Sequence, residues 1–159
     1  MDTIKSDDRT EKYYVSLNDA IDLERLGFNW TTKEKQPKNY YYYNGKDLCA
    51  PNYSQVLNWL IHKHDMYVVD KYRNNPHGGE EGELYFVYRI GYYMEFRLLG
   101  GKFFKLDTLL IEVERFVVGE VIKLLKERAE SSRLELRRNK ILKLERDLCK
   151  TFCEKWKLI

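Results

Sequence analysis

Residues 50–70 place a helix directly before a strand, and this junction constrains the fold more than any other stretch. Apolar side chains recur there every three or four residues, which is the spacing that gathers them on one side of an α-helix; they are Tyr53, Val56, Leu57, Leu60 and Ile61. Pro51 suits the first turn, because its missing N–H would have had no helical partner there. The β-branched and aromatic run at 66–69 is typical of a strand. A helix with one apolar side beside a strand needs a sheet to pack on, so the pair predicts mixed α and β structure.

Four consecutive tyrosines, at 40–43, lead into an Asn-Gly dipeptide. Asn-Gly favours a tight type I′ turn, in which both central residues need positive φ, so the stretch predicts a β-hairpin. We expect its strands at about 39–43 and 46–50. Alternate side chains of a strand point to opposite faces, so Tyr41 and Tyr43 share one face of the hairpin.

Two further strand-like runs, at 83–90 and 92–99, follow a polar, glycine-rich loop at 73–82. Apolar and polar residues alternate in the second run, which predicts one apolar face and one wet face. A two-residue turn would place Phe96 opposite Val87, and one more loop residue would place it opposite a neighbour of Val87. A slip of one residue exchanges the two faces, so both registers stay open.

Helical patterns begin and end the chain. Ser16 and Gly27 are a suitable cap and stop for a helix at about 17–26. A strong helix follows from about residue 107, with apolar residues at three- and four-residue spacing as far as 125. The pair Ser131-Ser132 predicts a kink or a short break, after which residues 133–159 are again helical in composition.

Together these elements predict a single α+β domain in which helices cover one face of a mostly antiparallel sheet and a long helical section ends the chain. We expect an α+β core at 1–128, whose first residues, 1–12, form a disordered tail, and a helical extension at 129–159. A chain of 159 residues fits one such domain.

Composition excludes several classes of protein. No run approaches the roughly 18 apolar residues that a membrane span needs. The polar first residues lack the apolar core of a secretory signal, so we expect a cytoplasmic protein with no membrane partner. Three cysteines in such a compartment are expected to stay reduced.

No catalytic motif is present: the sequence has no glycine-rich phosphate loop, no nucleophile elbow and no metalloprotease helix, which predicts a protein that is not an enzyme and uses no cofactor. His62 and His64 are two apart, so on a helix they diverge by about 200°. Cys149 and Cys153 share a helix face but supply only half of a zinc site. We therefore expect no metal, and we interpret both cysteines as buried structural residues.

Tyrosine is abundant, with 13 residues, and a flat base can stack on an aromatic ring while nearby cations hold a phosphate. The hairpin tyrosines and the cations of the strands expected beside them are the candidate ligand-binding residues: Tyr41, Tyr43, Lys46, Arg89 and Arg97. The alternative is that these rings only cover the apolar sides of the helices.

Basic charge is concentrated at the C-terminus, where residues 123–159 hold 12 Lys and Arg against 6 Asp and Glu. A band of these cations would contact phosphates without sequence preference. The candidates for this nucleic-acid interface are Arg133, Arg137, Arg138, Lys140 and Lys143. Interleaved glutamates favour a solvated helix instead. A thin apolar stripe predicts a helix that lies on a surface or pairs with a second copy; it contains Leu134, Ile141, Leu144, Leu148 and Phe152.

The order of motifs from about 14 to 125 resembles a family of small proteins of phages and prophages of Bacteroidetes-type bacteria. The shared features are a leucine-rich helix ending in Gly27-Phe28, the tyrosine hairpin, the sequence Ala-Pro-Asn-Tyr at 50–53 before an aliphatic-Trp helix, a strand at 85–90, and an amphipathic helix. The family brings no assigned activity to these residues. The resemblance implies a phage protein acting in the host cell.

We therefore expect a non-enzymatic phage accessory protein that binds a host protein or a small signalling nucleotide and so counters host defence. The alternatives are a nucleic-acid-binding protein that uses the basic C-terminal helices, and a structural oligomer, a homodimer formed through the last helix.

Overall fold

The computed structural model describes residues 14–28, 40–73, 82–92 and 95–157. They form three helices and six strands in the order α1 (Leu17–Arg25), β1 (Tyr40–Tyr43), β2 (Lys46–Cys49), α2 (Tyr53–His64), β3 (Met66–Arg73), β4 (Glu83–Ile90), β5 (Arg97–Leu98), β6 (Phe104–Lys105) and α3 (Leu110–Lys157). The predicted α+β class is confirmed. The expected tail at 1–12 and most of the expected loop at 73–82 lie outside the described residues.

Helix α1 is capped as its sequence predicts. The Ser16 side chain accepts a hydrogen bond from the backbone N–H of Asp19 at 3.2 Å. Gly27 follows the helix at φ +88°, a left-handed conformation that glycine adopts without a Cβ penalty. The ring of Phe28 then packs edge-on against Trp59 of α2, with the ring centroids 5.3 Å apart.

The tyrosine hairpin is confirmed, with Asn44 and Gly45 both at positive φ in the turn. β1 and β2 form an antiparallel sheet of their own, in which Tyr41 lies opposite Leu48. Both side chains are buried, whereas Tyr40 and Tyr42 point to solvent. The buried tyrosine hydroxyl donates a hydrogen bond to the backbone carbonyl of Val15 at 2.7 Å, which ties the hairpin to the start of α1.

The predicted junction between α2 and β3 is present. Asn52 and Gln55 form a capping box at the start of α2, each side chain accepting from the backbone N–H of the other residue at 2.9 Å. Val56 and Leu60 are fully buried. Asp65 takes a left-handed conformation at the end of the helix, and β3 begins at the next residue.

The larger sheet has the strand order β3-β4-β5, with β6 also paired to β4, and each pairing is antiparallel. β3 and β4 pair over eight residues, from Met66 opposite Ile90 to Arg73 opposite Glu83. One face of this sheet carries the buried side chains Met66, Phe86, Tyr88 and Phe104. The Phe104 ring contacts Phe116 of α3 edge-on at 5.1 Å, so helices cover this inner face, as predicted.

Neither predicted register for β5 is correct. Val87 lies opposite Leu98, not opposite Phe96, because the chain makes a longer connection and β5 starts only at Arg97. Phe96 and Leu98 are 45% and 46% exposed, so the apolar side of this run faces solvent. Leu99 turns inward instead, and its N–H donates to the Phe86 carbonyl at 2.8 Å.

Helix α3 continues from Leu110 to Lys157, so the break expected at Ser131-Ser132 is wrong. Serine is only about 0.5 kcal/mol less favourable than alanine in a helix, and the neighbouring Glu, Leu, Arg and Lys residues are strong helix formers. The first part of the helix buries Val113, Val117, Val118, Val121 and Ile122.

The chain divides into two compact units, residues 1–123 and 124–159, whereas the sequence predicts a boundary at 128/129. Across its described residues, the second unit is the continuation of α3, and its side chains are exposed from Lys126 to Lys157. None of the helices in the described ranges is long and apolar enough to cross a membrane.

Gly100 and Gly101 provide a matched pair for testing how closely the sheet connection approaches α3. Their φ values are +63° and +62°, so alanine is strained at either position. A Cβ at Gly100 would lie 2.5 Å from the Phe116 ring, but a Cβ at Gly101 would meet no atom within 4 Å. We expect Gly100→Ala to lower the free energy of unfolding by about 1–3 kcal/mol more than Gly101→Ala does, measured by urea denaturation. Equal losses would contradict this packing.

Candidate functional site

The register of the larger sheet decides which side chains share its outer face, since directly paired residues point to the same side. On β3 these are Tyr67, Val69, Lys71 and Arg73, and on β4 they are Arg89, Val87, Tyr85 and Glu83. Leu98 and Lys105 join them through their pairing with Val87 and Glu83. We call this surface the outer sheet face.

Cations lie over aromatic rings at one end of the outer sheet face. The guanidinium carbon of Arg89 is 4.3 Å from the ring centroid of Tyr67 and 5.9 Å from that of Phe96. The ammonium of Lys71 is 5.8 Å from the same Phe96 ring. Each such contact contributes about 0.5–1 kcal/mol at an exposed position. Tyr67, Arg89 and Phe96 form what we call the first cluster.

A second cluster, formed by Arg73, Tyr85 and Phe103, lies further along the same face. The Arg73 guanidinium carbon is 5.8 Å from the Phe103 ring centroid, and the Tyr85 and Phe103 rings are 5.4 Å apart. Arg89 and Tyr85 are four residues apart on β4, so the backbone positions of the two clusters are about 13 Å apart along the strand. Lys71 is directly opposite Tyr85 of the second cluster, and its ammonium extends toward Phe96 of the first, so it links the two clusters.

The charge of this surface is positive. Its register places four cations on the face, with one carboxylate among them, that of Glu83. The cations are Lys71, Arg73, Arg89 and Lys105. A surface of half-exposed rings and surplus cations complements a ligand that has flat faces and negative charge.

A cleft of about 350 Å³ adjoins the first cluster. Its lining residues come from the end of β4, the connection that follows it and the first residue of β5: Tyr88, Arg89, Ile90, Glu95 and Arg97. The Arg89 side chain also donates to the Gly91 carbonyl at 3.4 Å, which orients it at the edge of the cleft. Arg97 is paired with Tyr88, so it lines the cleft from the face of the sheet opposite to Arg89. A phosphate in the cleft would meet one guanidinium group from each face, and Glu95 is the opposing charge.

The predicted ligand-binding residues are divided between two sheets. Arg89 and Arg97 do line one cleft. Tyr41, Tyr43 and Lys46 belong to the two-stranded sheet, so the prediction that they lie on strands next to these arginines is wrong. Helix α2 follows the hairpin directly, and β3 pairs with β4 instead of with β2.

The hairpin residues also have other contacts. Tyr41 is only 6% exposed, and its hydroxyl donates a hydrogen bond to the Val15 carbonyl. Its ring therefore has no open face for a ligand. The Lys46 ammonium forms an ion pair with Glu24 of α1 at 2.8 Å. Tyr43 is half-buried beside them on the hairpin.

The sequence pattern of β3 contained a signal for the cluster residues. The predicted strand ended at Val69, whereas β3 continues to Arg73. Its alternate positions 67, 69, 71 and 73 carry Tyr, Val, Lys and Arg, which would have indicated a basic and aromatic face. Phe96 and Phe103 had no such signal, because they lie outside regular strands.

A second, smaller cleft, with room for about one water molecule (20 Å³), lies against the start of α3. Burial raises the pKa of its Tyr53 to about 12, and the charges of Glu114 and Asp70 act in the same direction. Burial also raises the pKa of Glu114. A cleft of this size admits no nucleotide.

The cations predicted to bind nucleic acid are exposed on α3 but do not form one band. Successive residues of a helix rotate by about 100°, which spreads the set over about 220° of the circumference. The set is Arg133, Arg137, Arg138, Lys140 and Lys143.

Within the described ranges, no three His, Cys, Asp or Glu side chains come together to hold a metal ion. The His64 ring packs edge-on against Trp59, with the centroids 4.5 Å apart. Cys149 and Cys153 are exposed, so our interpretation of them as buried residues is wrong. The second unit has only this one helix in its described part, and no other element lies there to bury them.

The chain matches no protein-family model, no curated protein and no solved structure.

Because the pKa of Tyr53 in the small cleft is raised, we expect the protein to lose stability at alkaline pH. A free tyrosine has a pKa near 10, so between about pH 10 and 12 the unfolded chain releases the phenolic proton of Tyr53 while the folded protein keeps it. This contribution to stability is complete below pH 10 and is lost as the pH rises through 12. We expect the free energy of unfolding, measured by urea denaturation at each pH, to fall more over this range for the wild type than for Tyr53→Phe. Tyr42→Phe, at an exposed tyrosine, is the control and should behave like the wild type.

Proposed function

We propose that this protein is a non-enzymatic binding protein whose outer sheet face takes a ligand made of nucleobases and phosphates. One observation carries the proposal: cations lie over half-exposed aromatic rings beside a cleft that two arginines line. Bases stack on the rings or on the guanidinium planes, and phosphates lie near the cations of this face, Lys71, Arg73 and Arg89. Arg97 is paired with Tyr88 and points to the other face, so it reaches a phosphate only through the adjoining cleft.

The free energy of base stacking supports a ligand made of nucleobases and phosphates. Stacking of a base on an aromatic side chain contributes about 1–3 kcal/mol and tolerates any base, because every base has a flat face. The cations already lie close to the rings, so one ligand reaches both without a rearrangement of the strands.

The separation of the clusters favours a single-stranded oligonucleotide over a mononucleotide as the ligand. A stacked strand rises about 3.4 Å per nucleotide, so the roughly 13 Å between the clusters corresponds to about four nucleotides. A mononucleotide reaches one cluster at a time. The sheet face supports this proposal better than the basic cations of α3, which are spread around the helix.

The resemblance to phage proteins suggests the biological setting that we propose. In the host cytoplasm, a protein that captures nucleotides or single strands would remove a signal on which host defence depends. The lack of catalytic motifs fits capture of the ligand without turnover.

The first prediction for this site concerns ligand length and the rings. We expect a fluorescent single-stranded hexanucleotide to bind more tightly than a mononucleotide in anisotropy titrations, and more weakly as salt rises. Phe96→Ala should raise its Kd about 5- to 150-fold, the equivalent of 1–3 kcal/mol of stacking. Tyr72→Ser, which removes an exposed ring from the opposite face of β3, should leave the Kd unchanged.

The charged groups are tested in the same assay. Lys71→Glu together with Arg73→Glu should abolish binding, whereas Lys63→Glu on α2 should not. No binding by the wild type at low salt, or equal losses in the target and control variants, would contradict the proposal.

The second prediction concerns the arginine cleft. We expect Arg97→Gln to reduce about tenfold the preference for a 5′-phosphorylated trinucleotide over the unphosphorylated one, since a hydrogen bond between charged groups contributes about 1.5 kcal/mol or more. Arg25→Gln on α1 makes the same change at an exposed site and is the control. Isothermal titration calorimetry gives both affinities, and an unchanged preference in Arg97→Gln would show that phosphate does not bind in this cleft.

A further inference from the structure

The second unit exposes a regular stripe along α3. Its members are separated alternately by four and three residues and lie within about 80° of the circumference, which is the heptad spacing of helices that pair. They are Leu134, Arg138, Ile141, Glu145, Leu148 and Phe152. We call this set the seam.

The apolar members of the seam are open to solvent. Leu134, Ile141, Leu148 and Phe152 are between 54% and 69% exposed. The Phe152 ring lies 5.9 Å from Trp156, which extends the apolar surface by one more turn. A helix with this many large exposed apolar side chains gains free energy when a partner covers them.

Two oppositely charged residues within the seam identify that partner. A lipid surface would bury Arg138 and Glu145 among apolar chains, which is costly for each charge. A parallel second copy would place each charge beside its own equivalent. An antiparallel second copy instead brings Arg138 of one helix toward Glu145 of the other, twice in each pair.

We propose that two copies of this chain associate through an antiparallel pairing of their α3 seams. Leu134 then lies level with Phe152 of the second copy, and residues 129–157 of the two helices overlap along their whole length. In this register Arg138 is offset from Glu145 of the second copy by three residues, or about 4.5 Å along the axis, within reach of an ion pair. The contact is independent of the outer sheet face.

Charge exchange in the full-length protein tests the pairing. By sedimentation velocity over a range of concentrations, the wild type is a dimer, and Arg138→Glu or Glu145→Arg raises the dimer dissociation constant at least tenfold. The double variant Arg138→Glu with Glu145→Arg restores the wild-type value. Lys143→Glu makes the same charge change about 180° from the seam and leaves the dimer unchanged. Circular dichroism confirms that each variant keeps its helix.

The exposed thiols of α3 distinguish an antiparallel pair of helices from a parallel one. In the antiparallel register Cys149 lies about 18 Å along the axis from Cys149 of the second copy, too far for a disulfide. Mild oxidation of a Cys49→Ser variant therefore gives no covalent dimer. A wild type that is monomeric at all concentrations, a double variant that stays monomeric, or efficient cross-linking through Cys149 would each overturn the proposal.

Discussion

The eight-residue pairing of β3 with β4 is the interaction on which the rest of this structure depends. A slip of β3 by one residue against β4 would exchange the faces of β3, moving Met66 into water and Lys71 toward the helices. Met66, Phe86, Tyr88 and Phe104 are buried on one face, and their burial opposes such a slip. The same register places the cations and rings of the outer sheet face together, so the pairing of β3 with β4 determines both the core and the candidate site.

Much of the fold was readable from local chemistry. Ser16, Gly27, the Asn-Gly turn and the α2–β3 junction each specify their own geometry through backbone conformation or capping, which depends on neighbouring residues alone. The class and the antiparallel sheet followed from the order of these elements. The break expected at Ser131-Ser132 failed because two serines weaken a strongly helical stretch too little to end it.

The site was less readable, because it depends on contacts between distant segments. Arg89 and Arg97 were found by residue type, and they share a cleft. Tyr41 and Lys46 have the same chemistry, but the separate hairpin directs the tyrosine into the core and the lysine toward Glu24. Phe96 was expected in a strand, yet the longer connection before β5 leaves it beside Arg89 in solvent. Strand order and loop length are global properties that alternation along one strand does not determine.

We propose that the ligand binds on the outer sheet face. An NMR titration of the ¹⁵N-labelled protein with a single-stranded hexanucleotide tests it most directly, because it locates the bound surface residue by residue. We expect the amide signals of Tyr67, Lys71, Arg73, Tyr85 and Arg89 to shift as the site fills, while those of the hairpin at 40–49 remain in place. Shifts confined to residues 133–143 of α3, or no shifts at all, would contradict it.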